Sequence, residues 1–372
     1  MNTPHVATRV IAILVAAALA APGLAAPPER TLPVDPVELV AGREVPGKPE
    51  LMIERDGFGY QFATPETKAA FEKDPTKYEV ADGGACGRMG PLSGLGDARR
   101  YAVHDGRIFL FASDSCRSGF LKEPARYIET EDEKVFGSNE QVERGRALLD
   151  RAVAWAGGAE RLRSVKSVRA TAERKDKHGD TDYTITNETA LAFPDRAYQR
   201  ESWNDSWFST TCGPEGAAMA STRGEERIAD SRARAFRRAI ARWPIVILKA
   251  HADGAPKTDC PGLIVIADGD GKIGDTPVEY VKVWLNGAAS RLAVETATGR
   301  PVQLSFRGRD GTASVGDSVR TFSTYATVDG VTMPTAYSAT FNGKDLPAAA
   351  AKIDAFEINP ALPERLFKVP PR

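Results

Sequence analysis

The sequence predicts an α+β protein. A small domain built from a duplicated hairpin–helix unit comes first, followed by a larger antiparallel curved sheet, or incomplete β-barrel, with covering helices. Three observations carry this expectation. A segment running from Phe62 to Tyr78 recurs without a gap from Phe111 to Tyr127, at an offset of 49 residues. From Val165 onward, short alternating apolar and polar runs are separated by turn residues, which is strand patterning. One stretch breaks that pattern: Asp230 to Trp243 carries apolar residues at helical spacing.

Composition bounds the function. The chain has 372 residues, 42% hydrophobic and 27% charged, which is ordinary for a globular protein and excludes a wholly disordered, collagen-like or polytopic membrane chain. Basic and acidic side chains number 49 and 50, so no basic footprint points to nucleic acid as the main partner. The length fits two domains. Of the four histidines, His5 lies in a segment expected to be removed, which leaves few candidates for a histidine triad or a multi-histidine metal site.

The N-terminus reads as a secretory signal. Arg9 is the only charged residue before Glu29, the apolar run Val10–Leu19 follows it, and Ala20 to Ala26 is rich in small residues. Cleavage is expected near Ala25, giving a soluble chain in the periplasm or secreted; the alternative is an uncleaved anchor. In an oxidising compartment the four cysteines could form two disulfides, and sequence clustering favours Cys86 with Cys116 and Cys212 with Cys260. No C-x-x-C spacing supports a zinc ribbon or a thioredoxin-like site.

The expected layout is a signal at 1–25, a linker and domain start at 26–50, the small domain at 51–130, a linker at 131–137 and the large domain at 138–372. Each repeat copy has physical sense. Thr64 or Ser113 can cap a helix, and Pro65 or Asp114 suits its first position. Phe71 and Phe120 fall on the buried face, and Pro75 or Pro124 ends the helix before a tyrosine. Asp56-Gly57 and Asp105-Gly106 ahead of the two copies are hairpin signals.

With Asp35-Pro36-Val37, Tyr60-x-Phe62, Phe71-x-x-Asp74-Pro75-x-x-Tyr78 and Gly83-Gly84-Ala85-Cys86, residues 35 to 130 resemble the YHS domain. Some YHS domains are associated with metals, including copper. Here Glu38-Leu39 follows Val37 where those versions have a cysteine, and Thr67 stands where the second copy has Cys116, so no metal is expected. The alternative reading is a soft-ligand metal site made of Cys86, Cys116 and His104, in a periplasmic metal-handling protein.

The second domain begins with an expected helix, Glu140–Trp155, and a further turn from Ala159 to Leu162 after Gly157-Gly158. Strands are expected at 168–175, 181–193, 197–203, 206–211, 278–285, 291–295, 302–307, 319–328 and 331–341. Asp329-Gly330 is a strong hairpin turn. The helix from Asp230 to Trp243 has Ala233, Phe236, Ile240 and Trp243 on one side and Arg232, Arg234, Arg237, Arg238 and Arg242 on the rest, with Pro244 ending it. It is expected to cover the sheet with its arginines in water; the alternative is transient contact with an anionic membrane surface through those arginines.

Gly157-Gly158-x-x-x-Leu162-x-x-Val165, Asp329-Gly330-Val331-x-x-Pro334 and the closing Phe356-x-Ile358-Asn359 to Phe367-x-x-Pro370 resemble the LolA-like fold family of periplasmic lipoprotein carriers and outer-membrane lipoprotein-sorting proteins, over residues 157 to 370. The resemblance implies a cavity between a half-barrel and its helices that holds acyl chains, so the partner expected is a lipid or lipoprotein acyl chain. Trp203, Trp207, Phe208, Trp243, Ile245, Ile247 and Trp284 are the candidate cavity walls. Asp268-Gly269-Asp270-Gly271-Lys272 looks like part of a calcium loop, but Lys272 takes a ligand place, so a surface turn is expected. No nucleophile-elbow or phosphate-loop motif occurs, so neither an enzyme nor a cofactor is expected.

Overall fold

A computed structural model describes residues 29–178, 181–254, 262–310, 312–347 and 350–371, with the backbone alone for 174–178 and 181–183. The signal segment, its cleavage site near Ala25 and Cys260 lie outside the described residues.

In the small domain, β1 (Thr31–Leu32) and α1 (Pro36–Val40) precede β2 (Lys48–Arg55), β3 (Phe58–Phe62), α2 (Pro65–Lys73) and the single turn α3 (Pro75–Tyr78). Then come β4 (Asp97–His104), β5 (Arg107–Phe111) and α4 (Asp114–Lys122). Each repeat copy is therefore a hairpin followed by a helix. Asp56 and Gly57, and likewise Asp105 and Gly106, all have positive φ, the conformation that a two-residue hairpin turn demands. Thr64 and Ser113 accept from the backbone N–H three residues on and so start α2 and α4. Phe71 and Phe120 are fully buried, Phe71 against Tyr60 and Phe62, Phe120 against Phe109 and Phe111.

The large domain opens with α5 (Asn139–Trp155) and α6 (Ala159–Ser164), then the meander β6 (Ser167–His178), β7 (Thr181–Ala192), β8 (Arg196–Trp203), β9 (Ser206–Gly213), β10 (Gly216–Ser221) and β11 (Gly224–Ile228). Helices α7 (Asp230–Ala241) and α8 (Pro244–Asp253) follow. A second meander comprises β12 (Leu263–Ile273), β13 (Thr276–Leu285), β14 (Ala288–Glu295), β15 (Pro301–Gly308), β16 (Gly316–Val328) and β17 (Val331–Phe341); β18 (Lys344–Asp345) and β19 (Ala351–Ile358) complete the set.

All of these strands join one 14-stranded antiparallel sheet, ordered β11-β10-β9-β8-β7-β6-β19-β17-β16-β15-β14-β13-β12, with β18 beside β17. The C-terminal strand β19 stitches the two meanders together between β6 and β17. Strands β11 and β12 are the two outer edges, and among the described residues they do not pair, so the barrel is open. Because they are also consecutive in the chain, the connection that carries α7 and α8 has to run from one edge of the sheet to the other.

Helices α5 to α8 cover one face. Leu148, Leu149, Phe236, Ile247 and Leu248 pack with Val168, Leu191, Val281, Val283, Leu292, Leu304 and Met333 in one continuous core. The opposite face is covered over β7 and β8 by the C-terminal segment, where Leu362, Leu366 and Phe367 meet Ala190, Ala192 and Tyr198. No helix among the described residues is long and apolar enough to cross a membrane.

Several expectations are corrected. Pro244 does not end the long helix; α7 stops at Ala241, and Pro244 occupies the first turn of α8, where its missing N–H costs nothing. Asp268 to Lys272 is strand rather than turn: it lies within β12 at a register shift opposite β13, and Gly269 has a φ of 84°. Asp268 is paired with Lys282 and Arg291.

Candidate functional site

The apolar layer between sheet and helices is the place where the sequence reading put a site. Ile245 and Ile247 are buried there on α8, and Trp243, half-buried, packs against the same core at the α7–α8 corner. The other candidates stand apart. Trp203, Trp207 and Phe208 flank the β8–β9 hairpin, with Trp203 buried edge-on against Phe208 at 5.8 Å and Phe208 exposed. The Arg200 guanidinium sits 4.6 Å from the Trp207 ring centre. Trp284 on β13 is buried, and its indole N–H donates to the Asp132 carbonyl at 2.9 Å. The seven residues thus fall into a helical-layer group, a hairpin group and a β13 residue held by the linker.

Polar bonds hold α8 at its rim. Lys249 Nζ donates to the Leu162 and Arg163 carbonyls that end α6, and pairs with Asp253 at 3.1 Å. Arg163 returns a bond to the Ala252 carbonyl, and His251 meets Asp150 of α5 at 2.8 Å. A hollow of about 680 Å3 lies elsewhere, where Arg196, Pro214, Glu215, Arg365 and Lys368 surround it beside the C-terminal segment. Its lining mixes these charged groups with the apolar Phe367 and Val369.

The arginines of α7 do not form a solvent-facing or membrane-facing stripe. Arg232, Arg238 and Arg242 are buried, because the small domain and the linker lie against that side of the helix. Arg232 donates to the Pro91 and Ser93 carbonyls at 2.8 and 2.7 Å, and burial lowers its pKa to about 10. Arg242 pairs with Asp132 at 3.1 Å, with Glu129 at 3.7 Å, and lies 4.5 Å from the Phe306 ring centre. Arg238 lies 3.9 Å from Glu131. Arg234, at the surface, pairs with Glu131 at 3.1 Å, and Arg237 donates to the Gly213 carbonyl. Sequence periodicity identified the helix but could not show which neighbour would sit on its polar side. The expected linker is itself docked: Asp132 N–H donates to the Gly287 carbonyl, and its carboxylate accepts from Ala289 N–H.

Cys86 and Cys116 are free thiols within one hydrophobic cluster, with Cys86 buried and Cys116 half-buried. Cys212 is a buried free thiol, and its expected partner Cys260 lies outside the described residues. The structure does not bring His104 to the cysteine pair: its ring faces Asp105 and the edge of Phe120. Among the described residues, no group of three His, Cys, Asp or Glu side chains is placed to hold a metal.

No protein-family model matches the chain, and no curated protein matches it. Among solved structures, the chain is similar to a DUF1329 family protein from Desulfovibrio piger, at 12% identity and TM-score 0.39, covering 61% of this chain and 97% of that one. A LolA superfamily protein from Nitrosomonas europaea aligns at 10% identity and TM-score 0.39, covering 60% and 97%. A domain from Vibrio parahaemolyticus, whose name places it among outer membrane lipoprotein-sorting proteins, aligns at 14% identity and TM-score 0.38, covering 61% and 97%. At these scores the likeness assigns no function.

Proposed function

We propose that this is a non-enzymatic, exported binding protein that holds an apolar ligand of the acyl-chain class between the covered face of its large sheet and helices α7 and α8. One observation carries the reading: the covered face is apolar along its length, and the helices over it contribute side-chain contacts but no ladder hydrogen bonds. A chain of methylenes can replace the contacts of Ile245, Ile247 and Leu248 while the sheet stays intact. Each buried methylene contributes about 0.8 kcal/mol, so a single acyl chain would be held usefully without a dedicated polar anchor. The few rim bonds of Lys249, Arg163 and His251 are what such a ligand would have to loosen. The small domain would then act as a docking or sensing module on the side of α7 away from the core. The competing arrangement is a permanently packed scaffold.

Titration of the full chain with a fluorescent fatty acid tests this. Saturable binding is expected, displaced by unlabelled lipid, and weakened roughly tenfold, about 1.4 kcal/mol, by Trp243→Asp in protein whose circular dichroism is unchanged. Absence of saturable binding to folded protein across fatty acids and phospholipids would sink the reading.

A further inference from the structure

The duplication builds one acceptor slot twice, with different chemistry in each copy. In the first, the buried Asp35 carboxylate accepts from Ala63 N–H at 2.7 Å and from the Thr67 hydroxyl at 2.5 Å. Across the 49-residue offset, Ala63 corresponds to Ala112 and Thr67 to Cys116. In the second copy Ala112 N–H donates to Cys86 Sγ at 3.5 Å, and Cys116 stands beside Cys86 as Thr67 stands beside Asp35. A slot whose backbone donor holds a carboxylate in one copy therefore holds the Cys86 sulfur in the other and sets it beside Cys116.

The surroundings favour a negative charge on this pair. Cys116 lies in the first turn of α4, where its N–H is held by the Ser113 hydroxyl at 3.2 Å and the helix dipole is positive. Arg88 lies against α4 at Gly119, where a Cβ would meet its Cζ at 3.0 Å. Its buried Nε has no hydrogen-bond partner among the described residues. Arg309, in the loop after β15, brings a second, half-buried guanidinium towards Cys86. The neighbouring Cys86 thiol, helped by Ser113 and Arg88, holds the Cys116 thiol below the ordinary thiol range. The neighbouring Cys116 and burial push Cys86 upward.

We infer that Cys116 and Cys86 form a thiol–disulfide exchange site for disulfide-bonded substrates, with the half-buried Cys116 as attacking thiolate and the buried Cys86 as resolving thiol. Cys116 Sγ attacks one sulfur of the substrate disulfide. A bond forms between them, the substrate S–S bond breaks, and the second substrate sulfur leaves as a thiolate that takes a proton from water. Cys86 then attacks Cys116 Sγ, its proton passes to the departing substrate sulfur, and a Cys86–Cys116 disulfide results. Two electrons move from the protein dithiol to the substrate, which ends as two thiols.

Reduced full-length protein is mixed with excess oxidised glutathione or, separately, with a disulfide-bonded peptide, and then alkylated and mapped by mass spectrometry. The wild type is expected to acquire the Cys86–Cys116 disulfide and release two thiols per chain. Cys86→Ser is expected to accumulate a mixed disulfide on Cys116. Cys116→Thr, which installs the residue of the first copy and keeps the fold, is expected to leave Cys86 reduced. Reaction with both substrates supports general exchange, and reaction with one alone supports exchange restricted to that source. The inference is overturned if Cys116 stays free in folded wild type under both conditions, or if Cys86 is oxidised as quickly in Cys116→Thr as in wild type.

Discussion

Asp97 shows how one side chain can hold a strand start in place. It is buried at the head of β4, accepts from the Arg99 N–H, Nε and Nη2 at 2.9, 3.0 and 2.7 Å, and has Arg100 at 3.3 Å. These bonds, the Arg99 side chain first, lower its pKa to about 2 against the opposing effect of burial. A depressed carboxyl pKa stabilises the fold above the unfolded value near 3.8 and loses that contribution as pH falls through the folded value. Because Arg99 is well exposed, solvent screening limits the contribution to about 1 kcal/mol. Asp97→Asn should therefore lower urea-unfolding stability by that amount at pH 7, and the gap between the two proteins should shrink as the pH approaches 2. An equal gap at both ends would show that the loss is one of packing, not of charge.

At the scale of the element, the contact of α5 with β12 is a close one. A Cβ at Gly145 would lie 2.7 Å from Ala267 N and from the Ile266 carbonyl carbon, so the helix backbone rests directly on the strand. Gly145→Ala improves helix propensity by about 1 kcal/mol, whereas forcing α5 off the strand costs about 1–3 kcal/mol. A net fall in the urea midpoint is expected; a rise would mean that α5 can slide without loss. The sequence made some elements legible and hid others for related reasons. Asp56-Gly57, Asp105-Gly106 and Asp329-Gly330 were readable because a two-residue hairpin demands positive φ and these residues supply it. Strand β10, Gly-Ala-Ala-Met-Ala-Ser, lacks the branched and aromatic residues that mark a strand, and its place is set by pairing with β9 and β11. In β12 the Asp-Gly-Asp-Gly run imitates a turn because a bulge and a turn both recruit glycine. The site was less legible still. Trp203, Trp243 and Trp284 share composition but sit in separate neighbourhoods, and no periodicity along one element encodes the distance to another.

For the whole molecule, the decisive question is why two units that differ in architecture should unfold together. Their junction is made by buried and half-buried guanidinium groups that reach across to carbonyls and carboxylates: Arg232 to Pro91 and Ser93, Arg309 to Tyr127, and Arg242 to Glu129 and Asp132. Buried carbonyls left without donors cost about 1–3 kcal/mol each, so this junction is worth more intact than its exposed ion pairs suggest. Arg30 with Glu226 is such an exposed pair, and its loss should be nearly silent. Arg232→Met keeps the length and apolar stem but removes both donors from Pro91 and Ser93. Scanning calorimetry of the wild type should show one cooperative transition. The Arg232→Met protein should show two, with the small domain melting first and the large sheet near its original temperature, since α7 keeps its core contacts through Ala233, Phe236 and Ile240. If the variant instead melts in one transition at a uniformly lower temperature, Arg232 serves the stability of α7 itself and the domains are coupled by something else.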